Sequence, residues 1–184
     1  MKKTAVLIFA AILASPAVAQ ESDSTSEEIQ IGAPYILESH GDWAVRCLRS
    51  EDDQDPCQMY QVIGDENVGS LAEFTLQPTP NPEEGAPAAI ATIVAPLETL
   101  LLEGFIVQVD DKDARRYSFS YCNRGGCVVR VALSAEEIEE FRRGTEALVR
   151  LVPVATPNSP VVVPMSLSGF TAGFNAVTEI MSGE

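Results

Sequence analysis

The four cysteines fall in two close pairs, and that spacing constrains the fold of this chain more than any other feature. Cys47 and Cys57 stand ten positions apart, and Cys122 and Cys127 stand five apart in Tyr121-Cys-Asn-Arg-Gly-Gly-Cys127. The chain opens Met-Lys-Lys, continues with an apolar run over residues 5–14, and reaches Ala17-Val18-Ala19. A basic start, a short apolar segment and a small-x-small site are the parts of an export signal. The run is shorter than the ~20 apolar residues of a membrane-spanning helix. Cleavage is expected after Ala19. That leaves residues 20–34 as a flexible acidic leader, 35–184 as a single domain, and no transmembrane segment. An exported chain meets an oxidising compartment, where close thiols pair.

Four cysteines allow three connectivities. The strand pattern favours local pairing. Residues 43–47 alternate, with Trp43, Val45 and Cys47 on one face, and residues 57–63 read as the next strand. Further strand-like runs cover 71–76, 88–94, 104–110, 115–122, 127–133, 145–155 and 161–167. Asn123 and Gly125-Gly126 suit a tight reversal, so Cys122 and Cys127 would face each other across a hairpin. Each pair is thus expected to clamp two sequence-adjacent strands. Two helices interrupt the strands. Ser134-Ala-Glu-Glu137 is a capping box opening a helix to about residue 143, and Ser168 is expected to cap a second carrying Phe170, Phe174 and Val177. Many short strands with few helices predict a mainly β protein, a β-sandwich with two short helices and two local disulfides.

Catalytic sets are poorly represented. The spacings of the cysteines match neither a redox C-x-x-C motif nor a zinc site. His40 is the only histidine, and the serines of 164–169 do not form a G-x-S-x-G elbow. The acidic runs 51–55 and 110–113 lack EF-hand spacing and read as solvated turns. No cofactor or metal is expected. With a formal net charge of −15, the surface repels phosphate backbones, so nucleic acid is a poor partner. Against that charge, Lys112, Arg115, Arg116, Arg124 and Arg130 gather on or beside the second cysteine pair. Arg115, Arg116 and Arg124 are the candidate contacts for a partner. The competing reading is that these arginines pair with the protein's own carboxylates.

Several short motifs occur in order. They are Gly41-Asp-Trp-Ala-Val-Arg-Cys47, Cys57-Gln58, Ala95-Pro-Leu97 ahead of Gly104, Tyr121-Cys-x4-Cys127 enclosing Gly-Gly, and Met165-Ser-Leu-Ser-Gly-Phe-Thr-Ala172. In this the chain resembles the invasion-associated locus B family of exported bacterial proteins. Glu98 and Thr99 stand where that family usually continues with glycine. The resemblance implies an immunoglobulin-like β-sandwich with disulfides at Cys47, Cys57, Cys122 and Cys127. It also implies export to the periplasm or outer surface of a Gram-negative cell, and a link to host-cell invasion in pathogens. It supplies no enzymatic site. The expected role is a non-catalytic interaction module whose partner is an unknown protein or envelope component. The alternatives are a carboxylate-dependent hydrolase of envelope glycans and a structural or chaperone-like envelope accessory.

Overall fold

The computed structural model describes residues 30–183 apart from 53 and 68. The expected signal and most of the leader therefore lie outside the described residues. Eleven strands and two helices follow in chain order: β1 Pro34–His40, β2 Trp43–Leu48, β3 Cys57–Asp65, β4 Gly69–Pro78, β5 Ala89–Ala95, β6 Phe105–Val109, β7 Arg115–Tyr117, β8 Tyr121–Asn123, β9 Gly126–Leu133, α1 Ala135–Arg143, β10 Glu146–Leu151, β11 Val161–Ser166 and α2 Phe170–Ser182. They build two antiparallel sheets, ordered β1-β2-β3-β4-β5-β9-β8 and β11-β10-β6-β7. Alternating side chains put Val45, Met59, Phe74 and Ile93 of the large sheet, and Val107, Val149 and Met165 of the small one, into a single core. The fold is the expected mainly β sandwich.

Both disulfides form as local clamps. Cys47 is the register partner of Cys57 across β2 and β3, and Cys122 that of Cys127 across β8 and β9. Each pair brings its Cα atoms to 4.0 Å. Neither bond joins one sheet to the other. The capping box also stands: the Ser134 hydroxyl accepts from the Glu137 amide, and the Glu137 carboxylate accepts from the Ser134 amide.

Three elements differ from expectation. The run 115–122 is not one strand. Arg115–Tyr117 pairs with β6 in the small sheet, residues 118–120 cross over, and Tyr121–Asn123 pairs with β9 in the large sheet. Pro34–His40, where the sequence predicts no strand, is an edge strand with a bulge between Ile36 and Glu38. The cap of α2 is Gly169, at φ 86° and without a side-chain bond, not Ser168.

Gly169 takes that place because another backbone occupies the space a side chain would need. A Cβ there would overlap the carbonyl oxygen of His40, and a Cβ on Gly41 would lie 2.6 Å from the carbonyl oxygen of Ser168. Two turns thus interlock through their glycines. Around them the Asp42 amide donates to the Ser168 carbonyl (3.1 Å), and the Ser166 hydroxyl donates to the Asp42 carboxylate (2.6 Å). The Trp43 indole N–H (2.9 Å) and the Gln61 amide (3.1 Å) both donate to the Ser166 carbonyl. The clasp sets Trp43 edge-on to Phe170 and Phe74, at 5.3 and 5.8 Å between ring centroids.

Gly85 has a similar φ, 83°, but nothing within 4 Å of a built Cβ. Gly169→Ala and Gly85→Ala therefore share a backbone penalty and differ in the clash. Thermal melts should show Gly85→Ala losing about 1 kcal/mol, the ordinary cost of a left-handed residue with a side chain. Gly169→Ala should lose at least about 2 kcal/mol more, a further fall in Tm of roughly 4–8 °C. Equal losses would show that the interlock carries no steric constraint.

Candidate contact surface

The crossover at 118–120 separates the arginines that the sequence groups together. Arg115 turns toward α1. Its guanidinium makes a two-pronged ion pair with Glu140 and lies 3.5 Å from Glu137, which in turn accepts from the Tyr117 hydroxyl at 2.9 Å. Hydrogen bonding from Arg115 holds the Glu140 carboxyl below the usual glutamate range. Burial, with Glu137 beside it, pushes the Tyr117 phenol up. Arg115 is thus a structural cation tying β7 to α1. Arg116 points the other way, onto the outer face of the small sheet, and donates to the Leu102 carbonyl. Arg124 tops the β8–β9 hairpin of the large sheet. Of the three candidates, only Arg116 and Arg124 have no acidic partner among the described residues.

Among the described residues, Arg46 pairs with Glu73, Arg49 with Asp55, Arg115 with Glu137 and Glu140, and Arg142 and Arg143 with Glu139. Lys112, Arg116, Arg124, Arg130 and Arg150 join no ion pair there. Two of these five share a face. Ile106 of β6 is the register partner of both Arg116 and Arg150, and Arg150 is the partner of Val162. One cross-strand row on the small sheet therefore reads Arg116, Ile106, Arg150, Val162. Val162 is half exposed, as is Leu148 in the next row. Arg150 lies far from Arg116 in the chain. Its outward position in an alternating strand was legible, but its neighbour across β6 was not.

The remaining cations lie elsewhere. Arg130 stands on the outer face of the large sheet, where Thr92 is its register partner. Cation–π contacts join Arg46 to Tyr60, Arg49 to Tyr35 and Arg142 to Phe174. Asp55, in the acidic run, accepts from the Tyr35 hydroxyl and the Ser50 amide, each at 2.7 Å. Those bonds hold it below the usual aspartate range, as organiser of the first disulfide loop. An open cleft of about 460 Å³ is lined by Asp42, Gln61, Glu146 and Ser166 among others. Its Asp42 is engaged in the clasp by the Ser166 hydroxyl.

Fold and surface together define a disulfide-stapled, two-sheet β protein in which two cations without ion pairs among the described residues share the outer face of the small sheet. A profile of the invasion associated locus B (IalB) protein family matches residues 43–178, and the chain belongs to that family. Two invasion protein B homologs of Brucella abortus, from strain 2308 and from biovar 1 strain 9-941, are each 27% identical over 149 residues. These alignments cover 79% of this chain and 81% of each relative. The crystal structure of invasion associated protein B from Bartonella henselae is similar in fold, with a TM-score of 0.63 at 17% identity. That match covers 79% of this chain and 97% of the other. No helix among the described residues is long and apolar enough to cross a membrane. The two disulfides fit an exported protein.

The Arg115–Glu140 pair has a definite pH signature. A carboxyl whose pKa is lower folded than unfolded stabilises fully above its unfolded value and loses that contribution as pH falls through the folded one. Arg115→Gln should lower stability near neutral pH by about 1 kcal/mol, a partly exposed pair being discounted for screening. The gap between variant and wild type should close as pH drops through and below the ordinary glutamate value of about 4.3. Denaturant melts across that range test it, and a gap independent of pH would deny the pair its role.

Proposed function

We propose that this chain is a non-catalytic interaction module of the bacterial envelope, working in the periplasm or at the cell surface by presenting a cationic sheet face to an acidic partner. The single observation that carries this reading is the row Arg116–Ile106–Arg150–Val162. Two guanidiniums without acidic partners among the described residues flank an apolar side chain there, on a protein of formal net charge −15. A charge of the minority sign, held in register on a sheet and left uncompensated, is suited to fixing the orientation of a partner of opposite sign. Arg116 enters this surface, Arg124 stands apart from it on the other sheet, and Arg115 is committed to α1. The names of the relatives speak of invasion, and contact with a host or envelope component accords with them. The engagement of Asp42 by Ser166 favours a structural use of that carboxylate over a hydrolytic one.

Crosslinking in intact cells, followed by identification of the captured species, tests the proposal. Arg116→Glu together with Arg150→Glu should cut recovery of the specific partner at least about tenfold, since interface energy concentrates in a few residues. Arg124→Glu alone should leave it near the wild-type level. Unchanged capture by a folded double variant would reject this face. Turnover of envelope glycan at an enzyme-like rate by the purified protein would reject the non-catalytic reading.

A further inference from the structure

All four sheet edges are guarded against strand addition. β1 starts at Pro34 and carries a bulge, β11 contains Pro164, and β7 and β8 are three residues long. Side chains, not an open backbone edge, must therefore supply any large contact. The segment between β5 and β6 supplies them in an unusual form. Leu102 is 82% exposed, Leu97 and Val154 are about half exposed, and Leu101 is 43% exposed. Leu101 and Leu102 sit in a single 3-10 turn, Leu101–Glu103.

The turn is held rigidly. The Leu100 amide donates to Val152, the Val154 amide to Glu98, the Glu103 amide to Leu100 and the Gly104 amide to Leu101. The Thr99 hydroxyl donates to Pro96 at 2.8 Å, and Arg116 holds the Leu102 carbonyl. Glu98 keeps the turn at φ 65°, a conformation that glycine would adopt without cost. Beside this knob lies an apolar socket of about 150 Å³ lined by Leu71, Pro96, Leu97, Leu151, Pro153 and Ala155, with Glu98 and Thr99 at its rim. Leu102 does not fill it.

We infer that this end of the sandwich is a self-association surface, in which Leu102 of each copy enters the socket of a second copy of the same chain. One segment, residues 96–103, supplies both the knob and part of the socket wall, and a two-fold interface has each element meet the other's counterpart. The charges around the patch favour the same occupant. Glu98 and Glu103 lie on the knob segment, Arg116 grips it, and Arg124 tops the hairpin whose Gly126 packs against Ala95 at the segment's start. An apolar centre with a rim of both signs is complementary to itself, whereas an anionic lipid surface would repel the two glutamates. The rigid turn means little ordering is lost on association. The inference shares Arg116 with the cationic row but uses neither Arg150 nor Ile106, so Arg150→Glu separates the two.

Sedimentation velocity of the purified, oxidised protein across the micromolar range tests it. Wild type should convert from monomer to dimer with concentration. Leu102→Asp and, separately, Ala155→Asp should each weaken the dimer at least about tenfold. Both positions are exposed, so neither change should alter the melting temperature at dilutions where the wild type is monomeric. Arg150→Glu should dimerise as wild type does. A wild type that stays monomeric throughout, or a dimer that neither aspartate weakens, would overturn the inference. So would co-sedimentation with phosphatidylglycerol vesicles by a monomeric wild type that Leu102→Asp abolishes, which would assign the knob to a lipid surface.

Discussion

The interlock of Gly41 with Gly169 is the constraint on which the rest of the structure depends. Each glycine sits where the other turn's backbone passes, so neither can carry a side chain without separating the turns. One turn joins the first two strands of the large sheet. The other links the last strand of the small sheet to α2. Their contact therefore fixes sheet to sheet and helix to both. Polar groups inside such a junction cost stability unless paired, and here the pairing is dense. The Ser166 carbonyl takes both the Trp43 indole and the Gln61 amide, while Asp42 takes the Ser166 hydroxyl. Trp43 then anchors an aromatic cluster with Phe74, Phe170, Phe141 and Phe174, whose neighbouring rings lie 5.3–6.5 Å apart. The family match begins at Trp43 and ends at residue 178, one turn beyond Phe174, so it takes in Trp43, Ser166 and Gly169 of this junction and starts just after Gly41 and Asp42.

The disulfides do a different and more local task. Each closes a short loop between strands that already pair, at roughly 2–3 kcal/mol on the chain-entropy estimate. Neither holds the two sheets together, which distinguishes this sandwich from one pinned through its core. What they fix is shape. The first organises the loop where Asp55 gathers Tyr35, Arg49 and Ser50. The second fixes the hairpin that presents Arg124 and packs Gly126 against Ala95, at the start of the leucine-bearing segment.

Features set by neighbours in the chain were legible in the sequence. The capping box at Ser134 and Glu137, the alternation around Trp43 and the reversal between Cys122 and Cys127 each need only a few consecutive residues. What was not legible depended on distant partners. Residues 115–122 alternate well enough for one strand. The competition between β6 and β9 for its two halves, in different sheets, is invisible locally. β1 carries apolar side chains without clean alternation, because its bulge changes the face partway. Ser168 has the right chemistry for a cap, but the nearby His40 carbonyl leaves room there for a glycine turn instead. The same non-locality hid the contact surface. Arg115 and Arg116 are adjacent in sequence yet face opposite sides of a strand, and Arg116 finds its companion in Arg150 only through β6.

An invasion-associated locus B protein of this build is a rigid body whose surfaces differ: a cationic row on the small sheet, an apolar end beside the second disulfide, and acidic surroundings. All of these keep their relative positions only while the clasp is closed. The chain has a single tryptophan, so its indole N–H gives one unambiguous NMR signal for the central hydrogen bond. Its exchange with deuterated solvent measures the free energy needed to open the clasp. The indole proton of Trp43 should exchange only through global unfolding, with the same free energy as the amide of Ile93 in the middle of the large sheet. Exchange at a clearly lower free energy than Ile93, with the core amides still protected, would show that the clasp opens on its own and contradict its central place.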